Sequence, residues 1–313
     1  MALPSSGSIS LSDIAAEFGG VAPHSFSEYF GVASGIPAIG RLTIRDFYGK
    51  SNDAPISATG GTISDSGGYR YHTFTSGGTF TVNSAAAGAF SNTVQVLIVA
   101  GGGGSDNTVR YTGGAGAGGM VETSFSAAVS SKSVVVGGGG ANYTNGANSS
   151  VTSLTTAIGG GRAGQYYTAV GRYGEGANGG SGGGATPGYG STSAGLGTSG
   201  QGNRGGVGNS IFTGGGGGGK SAVGGNASSG NVGGNGGNGK AWLNGVTYSG
   251  GGGGAGGGNY IHGNGGTGGG GSANGYTPYG TFYGGGGAGG NNTQIGINNR
   301  AGYQGIVIFR YQI

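Results

Sequence analysis

The chain has 313 residues, 90 of them glycine, and its 13 Lys and Arg against 9 Asp and Glu leave a net charge of +4 with no cysteine. The missing cysteine excludes a disulfide framework, a thiolate metal site and a cysteine nucleophile. The charge excess is too thin and scattered to point to nucleic acid, and no apolar run is long enough to span a bilayer. The first twenty residues lack the basic start and continuous apolar stretch of a signal peptide, so a soluble chain made in a cytosol is expected.

Residues 1–50 differ in composition from the rest and carry an internal repeat. Leu3 to Asp13-Ile14 (LPSSGSISLSDI) aligns without gaps on Ile36 to Asp46-Phe47 (IPAIGRLTIRDF), matching apolar, Pro, Gly, hydroxyl and Asp positions. Ser12 can cap a short helix ending before Gly19, and Ser25 with Glu28 forms a capping-box pattern ahead of Tyr29 and Phe30. About fifty residues bury only a small core. One reading is a docking module that completes its core against a partner through Leu3, Pro4, Ile9, Leu11, Ile14, Phe26, Tyr29, Phe30, Ile36, Pro37, Leu42, Ile44, Phe47 and Tyr48; the other is a small independent domain. The size argument favours docking.

From Gly67 the pattern has period two, and Tyr69–Phe74, a Thr75-Ser76-Gly77-Gly78 turn and Thr79–Val82 read as a hairpin. Thr93–Ala100 (TVQVLIVA) is more continuously apolar and reads as a central, buried strand. Short strands at Ser131–Val136 and Ser153–Ile158 follow, then a Lys240–Tyr248 hairpin turning at Asn244-Gly245, and a last strand over Gly305–Tyr311. The two most apolar strands, at 94–99 and 306–309, are expected to pair and bracket the glycine-rich part, so that the chain leaves and returns at one end. The expected divisions are 1–50, a strand base over 51–100, a glycine-rich domain over 101–304, and a returning strand over 305–313.

Glycine loses more backbone freedom on folding than any other residue, so runs such as Gly101–Gly104, Gly214–Gly219 and Gly250–Gly254 read at first as flexible linker. Leu, Ile, Val and Phe form roughly a sixth of the chain, below the level that warns of disorder, yet the high net charge of a disordered chain is absent. A polyproline-type helix of three residues per turn, rising about 3.1 Å per residue, satisfies none of its own backbone hydrogen bonds. Rods without Cβ atoms can pack side by side and satisfy one another, replacing an apolar core by a hydrogen-bonded one. The expected fold class is mostly β: a small N-terminal module poor in regular structure, a strand base and a polyglycine II sandwich.

Segments that link rods far from the base would be exposed loops on a rigid scaffold, where binding specificity usually sits. Their candidates are Tyr166, Tyr167, Arg172 and Tyr173, then Tyr189, Tyr260, His262, Tyr276, Tyr279, Phe282 and Tyr283, since Tyr and Arg offer rigid contact faces with polar tips. The alternative is that these aromatics fold back and cover the sandwich sides. Pro278 and its flanking glycines favour a turn over 276–283.

Gly214 to Lys220-Ser221 satisfies the phosphate-loop pattern, but a P-loop needs a helix directly after it, and Gly224, Gly225, Ser228, Ser229 and Gly230 follow instead. No Asp or Glu follows Glu175. That removes a magnesium-binding carboxylate, calcium-binding glycine repeats and any glycosidase dyad in the C-terminal half. His24, His72 and His262 show no ligand-like spacing. No catalytic residue, cofactor or metal is expected. Arg204, Lys220, Lys240, Arg300 and Arg310 stand uncompensated in sequence and either favour anionic surfaces or serve as solubilising charge.

Two stretches carry a resemblance. LPSSGSISLSDI, with its echo ending in RDFYGKS, resembles the N-terminal segment of many tailed-bacteriophage virion proteins, tail fibres included. YRYHTFTSGGTFTV, VQVLIVAGGGG and the closing GIVIFRY resemble the glycine-rich domain that recurs in phage tail fibres. The design is also similar, in architecture, to fibre-tip adhesins of some T-even-type phages, in which loops at the distal end of a polyglycine II sandwich recognise a surface protein or sugar. The resemblance implies a virion protein assembled in the host cytoplasm, docked to other tail or fibre proteins, compatible with a homotrimer, and binding a host surface protein or polysaccharide without nucleic acid, membrane insertion or covalent chemistry. A purely structural spacer or cap is the competing reading. An ice-binding polyglycine II protein would need a flat, regular Thr or Ala face, against which the Tyr-bearing insertions argue.

Overall fold

The computed structural model describes residues 2–106, 111–167, 172–186, 193–209, 212–228, 232–257, 261–273, 277–290 and 300–313. Three reciprocal capping boxes shape the first fifty. Ser10 Oγ accepts from the Asp13 amide at 3.1 Å while Asp13 Oδ2 accepts from the Ser10 amide at 2.7 Å, which starts helix α1, Leu11–Phe18. The cap is therefore Ser10 rather than the expected Ser12, because the box requires the acid three residues on. Ser25 with Glu28 and Thr43 with Asp46 repeat the device ahead of 3-10 turns over Phe26–Tyr29 and Ile44–Phe47. The sequence repeat is thus structural: Leu3 and Ile36, and Ile14 and Phe47, are all buried.

Leu3 and Gly49 close the module by donating to Lys50 and Pro4 carbonyls at 2.8 and 3.0 Å. Leu3, Ile9, Ile14, Tyr29, Ile36 and Phe47 form a core of their own. All six of these residues, named above for docking, face inward in the chain itself. The capping boxes and chain closure let a small core suffice. Of the other nominated residues, Pro4 and Ile44 are exposed, and Leu11, Phe26, Phe30, Pro37, Leu42 and Tyr48 are half-buried.

Two antiparallel sheets form the base. One contains β1 (Ser57–Thr59), β4 (Gly78–Ser84), β7 (Ser130–Val135) and β8 (Ser150–Val151) in that order; the other runs β2 (Thr62–Ser66), β3 (Tyr69–Phe74), β13 (Ile306–Gln312), β5 (Thr93–Val99), β6 (Met120–Ser126). Alternate residues meet between the sheets: Phe74, Phe80, Val94, Val96, Ile98, Val307 and Phe309, with the Phe80 and Phe309 rings stacked at 4.1 Å. β5 and β13 pair as expected, from Val99 opposite Ile306 to Gln95 opposite Arg310. The expected hairpin does not form, because β3 and β4 lie in different sheets. His72 and Phe74 on one and Phe80 and Val82 on the other then face each other across the core, burying both apolar sets at once. No strand covers 153–158 either. The chain turns after Val151, with Ser153 at φ 64°, and Leu154 donates back to Val151 at 3.0 Å.

Beyond the base, the glycine runs form rods that satisfy one another. In rod 112–120, Gly114, Ala115 and Gly116 donate to Gly215, Gly287 and Gly161. Ala117, Gly118 and Gly119 then address the same three neighbours at Gly218, Gly284 and Ile158, all within 2.8–3.0 Å. The repeat of three is that of polyglycine II. The same rod accepts from Ala100 and Gly103, from Ser181 and Gly184, and from Gly252 and Ala255, so it has six neighbours. Rod 214–219 behaves alike, donating in turn to Ala255, Ala185 and Gly225 and then to Gly252, Gly182 and Ala222. Spacing this tight needs glycine: a Cβ on Gly217 would lie 1.9 Å from the Ala115 carbonyl oxygen.

Candidate functional site

The rods give the molecule two ends. At the base end, Val99 leads into rod 100–106, rod 112–120 leads into β6, and Gly305 donates to Gly137 at 2.8 Å beside the Ser149 hydroxyl, which bonds Val99 O at 2.8 Å. At the far end, Ser105 donates to Arg300, Thr112 to Gly290, Gly174 to Gln165 and Gly233 to Ile261. Asp106, Tyr111, Gln165, Gly174, Asn209, Phe212, Gly257 and Ile261 therefore belong to one distal surface.

Two nominated segments meet there through their backbones. The backbones of β9 (Tyr166–Tyr167) and β10 (Arg172–Tyr173) pair antiparallel, Tyr166 opposite Tyr173 and Tyr167 opposite Arg172. Elsewhere on this surface, His262 Nδ1 accepts from the Gly256 amide at 2.8 Å, which places the proton of the neutral ring on Nε2. Burial, reinforced by the positive Arg300, holds its pKa below the ordinary histidine value. Tyr189, Tyr260 and Tyr276 lie outside the described residues.

Phe282 and Tyr283 do not join this surface. They pack at the base end with Trp242, Tyr248, Leu97, Val99, Met120, Ile306 and Ile308; the Phe282 ring lies 5.6 Å from that of Tyr248 and 4.9 Å from that of Tyr283. In place of the expected distal turn, residues 277–281 run as a rod. Ala288 donates to Pro278 at 2.6 Å and Gly280 to Ala301 at 2.8 Å, and the reversal comes at Gly284, with φ 76°. Tyr279 lies on this rod, 39% exposed. The aromatics fold back here because the outer face of the strand base is apolar and must be covered. The hairpin of β11 (Lys240–Ala241) and β12 (Thr247–Tyr248) covers it from the other side, turning at Gly245 with φ 76°.

The distal surface also holds residues that the sequence reading passed over. Tyr111 and Phe212 meet edge to face at 5.2 Å, with Phe212 38% exposed. Gly257 lets the chain pass beneath them, since a Cβ there would stand 2.6 Å from Phe212 Cβ. Ile261 is 67% exposed. Arg162 stacks on Tyr143, 4.2 Å from the ring centroid. Tyr111 and Tyr143 both have φ 59°, a left-handed conformation costing of order 1 kcal/mol that the neighbouring rods impose. A signal existed: Tyr111-Thr112-Gly113-Gly114 and Phe212-Thr213-Gly214-Gly215 share one pattern, an aromatic and a threonine at the start of a rod.

Beneath the surface lies a charged layer. Arg300 is buried, with Nη1 donating to Gly289 O at 2.6 Å and Ala288 O at 3.4 Å. Burial pushes its guanidinium down to about 10, opposed by the nearby Asp106, so it remains cationic at neutral pH. The P-loop-like run is buried inside the array, and Lys220 Nζ donates to Met120 and Gly200 carbonyls at 2.9 and 2.6 Å, which leaves no cradle for phosphate. Among the described residues no His, Cys, Asp and Glu cluster could hold a metal, and no helix is long and apolar enough to cross a membrane.

A family model for a glycine-rich domain matches residues 74–312. The chain belongs to this glycine-rich domain family. The match begins at the last residue of β3 and ends at the last residue of β13, so it takes in the rod array and the base strands from β4 onward and leaves the N-terminal module, β1, β2 and most of β3 outside. A comparison with curated proteins found no match.

Proposed function

We propose that the chain is a tail-fibre or tail-tip adhesin of a tailed phage, binding a host surface receptor through the distal surface of its glycine-rich domain. The observation that carries this reading is the molecule's polarity. The N-terminal module joins the base at the end remote from the rods: Asn52 donates to Glu17 at 2.9 Å, Ala54 pairs with Ala87, and Ala89 donates to Asp53 at 2.6 Å, all beside the start of β5. β5 then leads away into the array, so attachment and recognition would sit at opposite ends of a rigid body. The rods suit such a role because their interior is tied by backbone bonds, leaving the turns free to vary. Exposed Phe212 and Ile261, the Tyr111 ring and the Arg162–Tyr143 pair supply the mixed aromatic and cationic character of binding hot spots. Particles carrying Phe212→Ser with Tyr111→Ser, or Tyr166→Ser with Tyr167→Ser, should adsorb to host cells at least tenfold more slowly while assembling normally. Unchanged adsorption by both would favour a spacer or cap.

A further inference from the structure

The outer face of the five-stranded sheet is apolar where it is covered and polar where it is bare. Near the rods, Leu97, Val99, Ile306 and Ile308 lie under Trp242, Tyr248 and Phe282. Two residues further from the rods on each strand, the face changes character. Strand register there sets Ser64 opposite Tyr71, Tyr71 opposite Arg310, Arg310 opposite Gln95 and Gln95 opposite Ser124 in one row. A groove lined by Ser64, Ser66, Tyr71, Thr73, Asn244 and Ile308 separates this row from the covering hairpin.

Arg310 is the feature that points to a ligand. Its guanidinium carbon lies 3.6 Å from the Tyr69 ring centroid and 5.7 Å from that of Tyr71, and Nη1 donates to Gln95 Oε1 at 3.0 Å. The head group is thus fixed by two rings and one amide. Among the described residues it makes no ion pair: the two acids of this sheet, on the outer strands β2 and β6, are engaged elsewhere, Asp65 with Arg70 at 2.8 Å and Glu122 with Lys240. Nε is buried with no hydrogen-bond partner, and Nη2 has none among the described residues, so one edge of the guanidinium is left unsatisfied. A fixed guanidinium with an open edge and no carboxylate fits an oxyanion. Ser64, Ser66, Thr73 and the Tyr71 ring beside it fit the hydroxyls and apolar face of a sugar ring.

The geometry points to a second binding site on this face, for an anionic saccharide whose carboxylate or phosphate meets Arg310 and whose ring lies along the groove at Tyr71. The site lies on the strand base and does not depend on the adhesin reading. Amide chemical-shift titration of the full chain tests it with three probes: digalacturonate, the neutral galactose disaccharide, and glucose 6-phosphate with inorganic phosphate as its sugar-free counterpart. An acidic sugar should shift amides of β2, β3 and β13 and bind at least tenfold more tightly than the neutral disaccharide; which of the two acidic sugars does so identifies the anion. Arg310→Gln should lose that preference. Ser66→Glu, on an exposed strand, should weaken binding at least threefold without disturbing Arg310 packing. Equal binding of neutral and acidic sugars, no binding of any probe, or Ser66→Glu binding as well as the parent would overturn the site. Inorganic phosphate binding as tightly as glucose 6-phosphate would overturn the saccharide assignment.

Discussion

Gly217→Ala adds one methyl group at the centre of the array, and the structure fixes what it meets. The new Cβ would stand 1.9 Å from Ala115 O and 2.4 Å from Ala115 C. An ordinary contact needs more than 3 Å, so the rods must part by over 1 Å. That carbonyl accepts from Gly252 at 2.9 Å, and the same opening strains Gly217 to Gly252 at 2.8 Å and Ala117 to Gly218 at 3.0 Å. Weakening these bonds costs about 1 kcal/mol each and overpacking about 1–3 kcal/mol more. Alanine's smaller unfolded-state entropy returns about 0.4–1 kcal/mol, so a net loss of about 4 kcal/mol is expected, or about 8 °C in melting temperature for a chain this long. Gly138→Ala is the control. A Cβ there meets nothing within 4 Å and its φ is not left-handed, so the melting temperature should hold or rise by about 1–2 °C. Differential scanning calorimetry of both variants decides. Equal melting would refute the claim that rod spacing excludes side chains position by position.

His72 is buried, its Nδ1–H donating to Gly60 O at 2.7 Å and its Nε2 accepting from the Tyr311 hydroxyl at 3.0 Å, and it is held below its ordinary pKa chiefly by burial. Its unfolded form takes up a proton first as pH falls, so stability is full above pH ~6.5 and is lost below it at up to about 1.4 kcal/mol per pH unit. His262 acts in the same direction, and urea melts of His72→Gln should show a shallower acid slope than the parent. Asn235 and Asn238 accept from the Asn264 and Thr267 amides at 2.9 and 3.1 Å, sealing an outer rod; replacing both by Ala should cost about 1–2 kcal/mol and speed exchange at those two amides. Lys220→Met removes the two carbonyl contacts of Nζ and should lower the melting temperature by a few degrees without altering any nucleotide affinity, as checked by calorimetry with and without ATP.

The sequence exposed this architecture unevenly, for physical reasons. Glycine runs named the rods because only a residue without Cβ permits their spacing, and β5 with β13 declared themselves by continuous apolar character. Period two showed that Tyr69–Phe74 and Thr79–Val82 were strands but could not say that they would part into two sheets, since both sheets share that alternation. β2, exposed at all five positions, carries no apolar pattern to read. At the candidate site, Phe282 and Tyr283 were drawn to the base by an apolar face assembled from distant strands, which no local pattern around them announces. The outer-rod asparagines, among them Asn145 and Asn148 accepting from Arg162 and Gly159 at 2.9 and 2.8 Å, recur every three residues and were legible once the rod period was known.

Amide hydrogen exchange across 100–106, 112–120, 214–219 and 250–255 tests the central claim, that rods of bare backbone satisfy one another. These amides should exchange as slowly as those of β5 and β13 and be released together as the protein unfolds. Exchange in these runs at the rate of an unstructured chain, with the strands still protected, would contradict it.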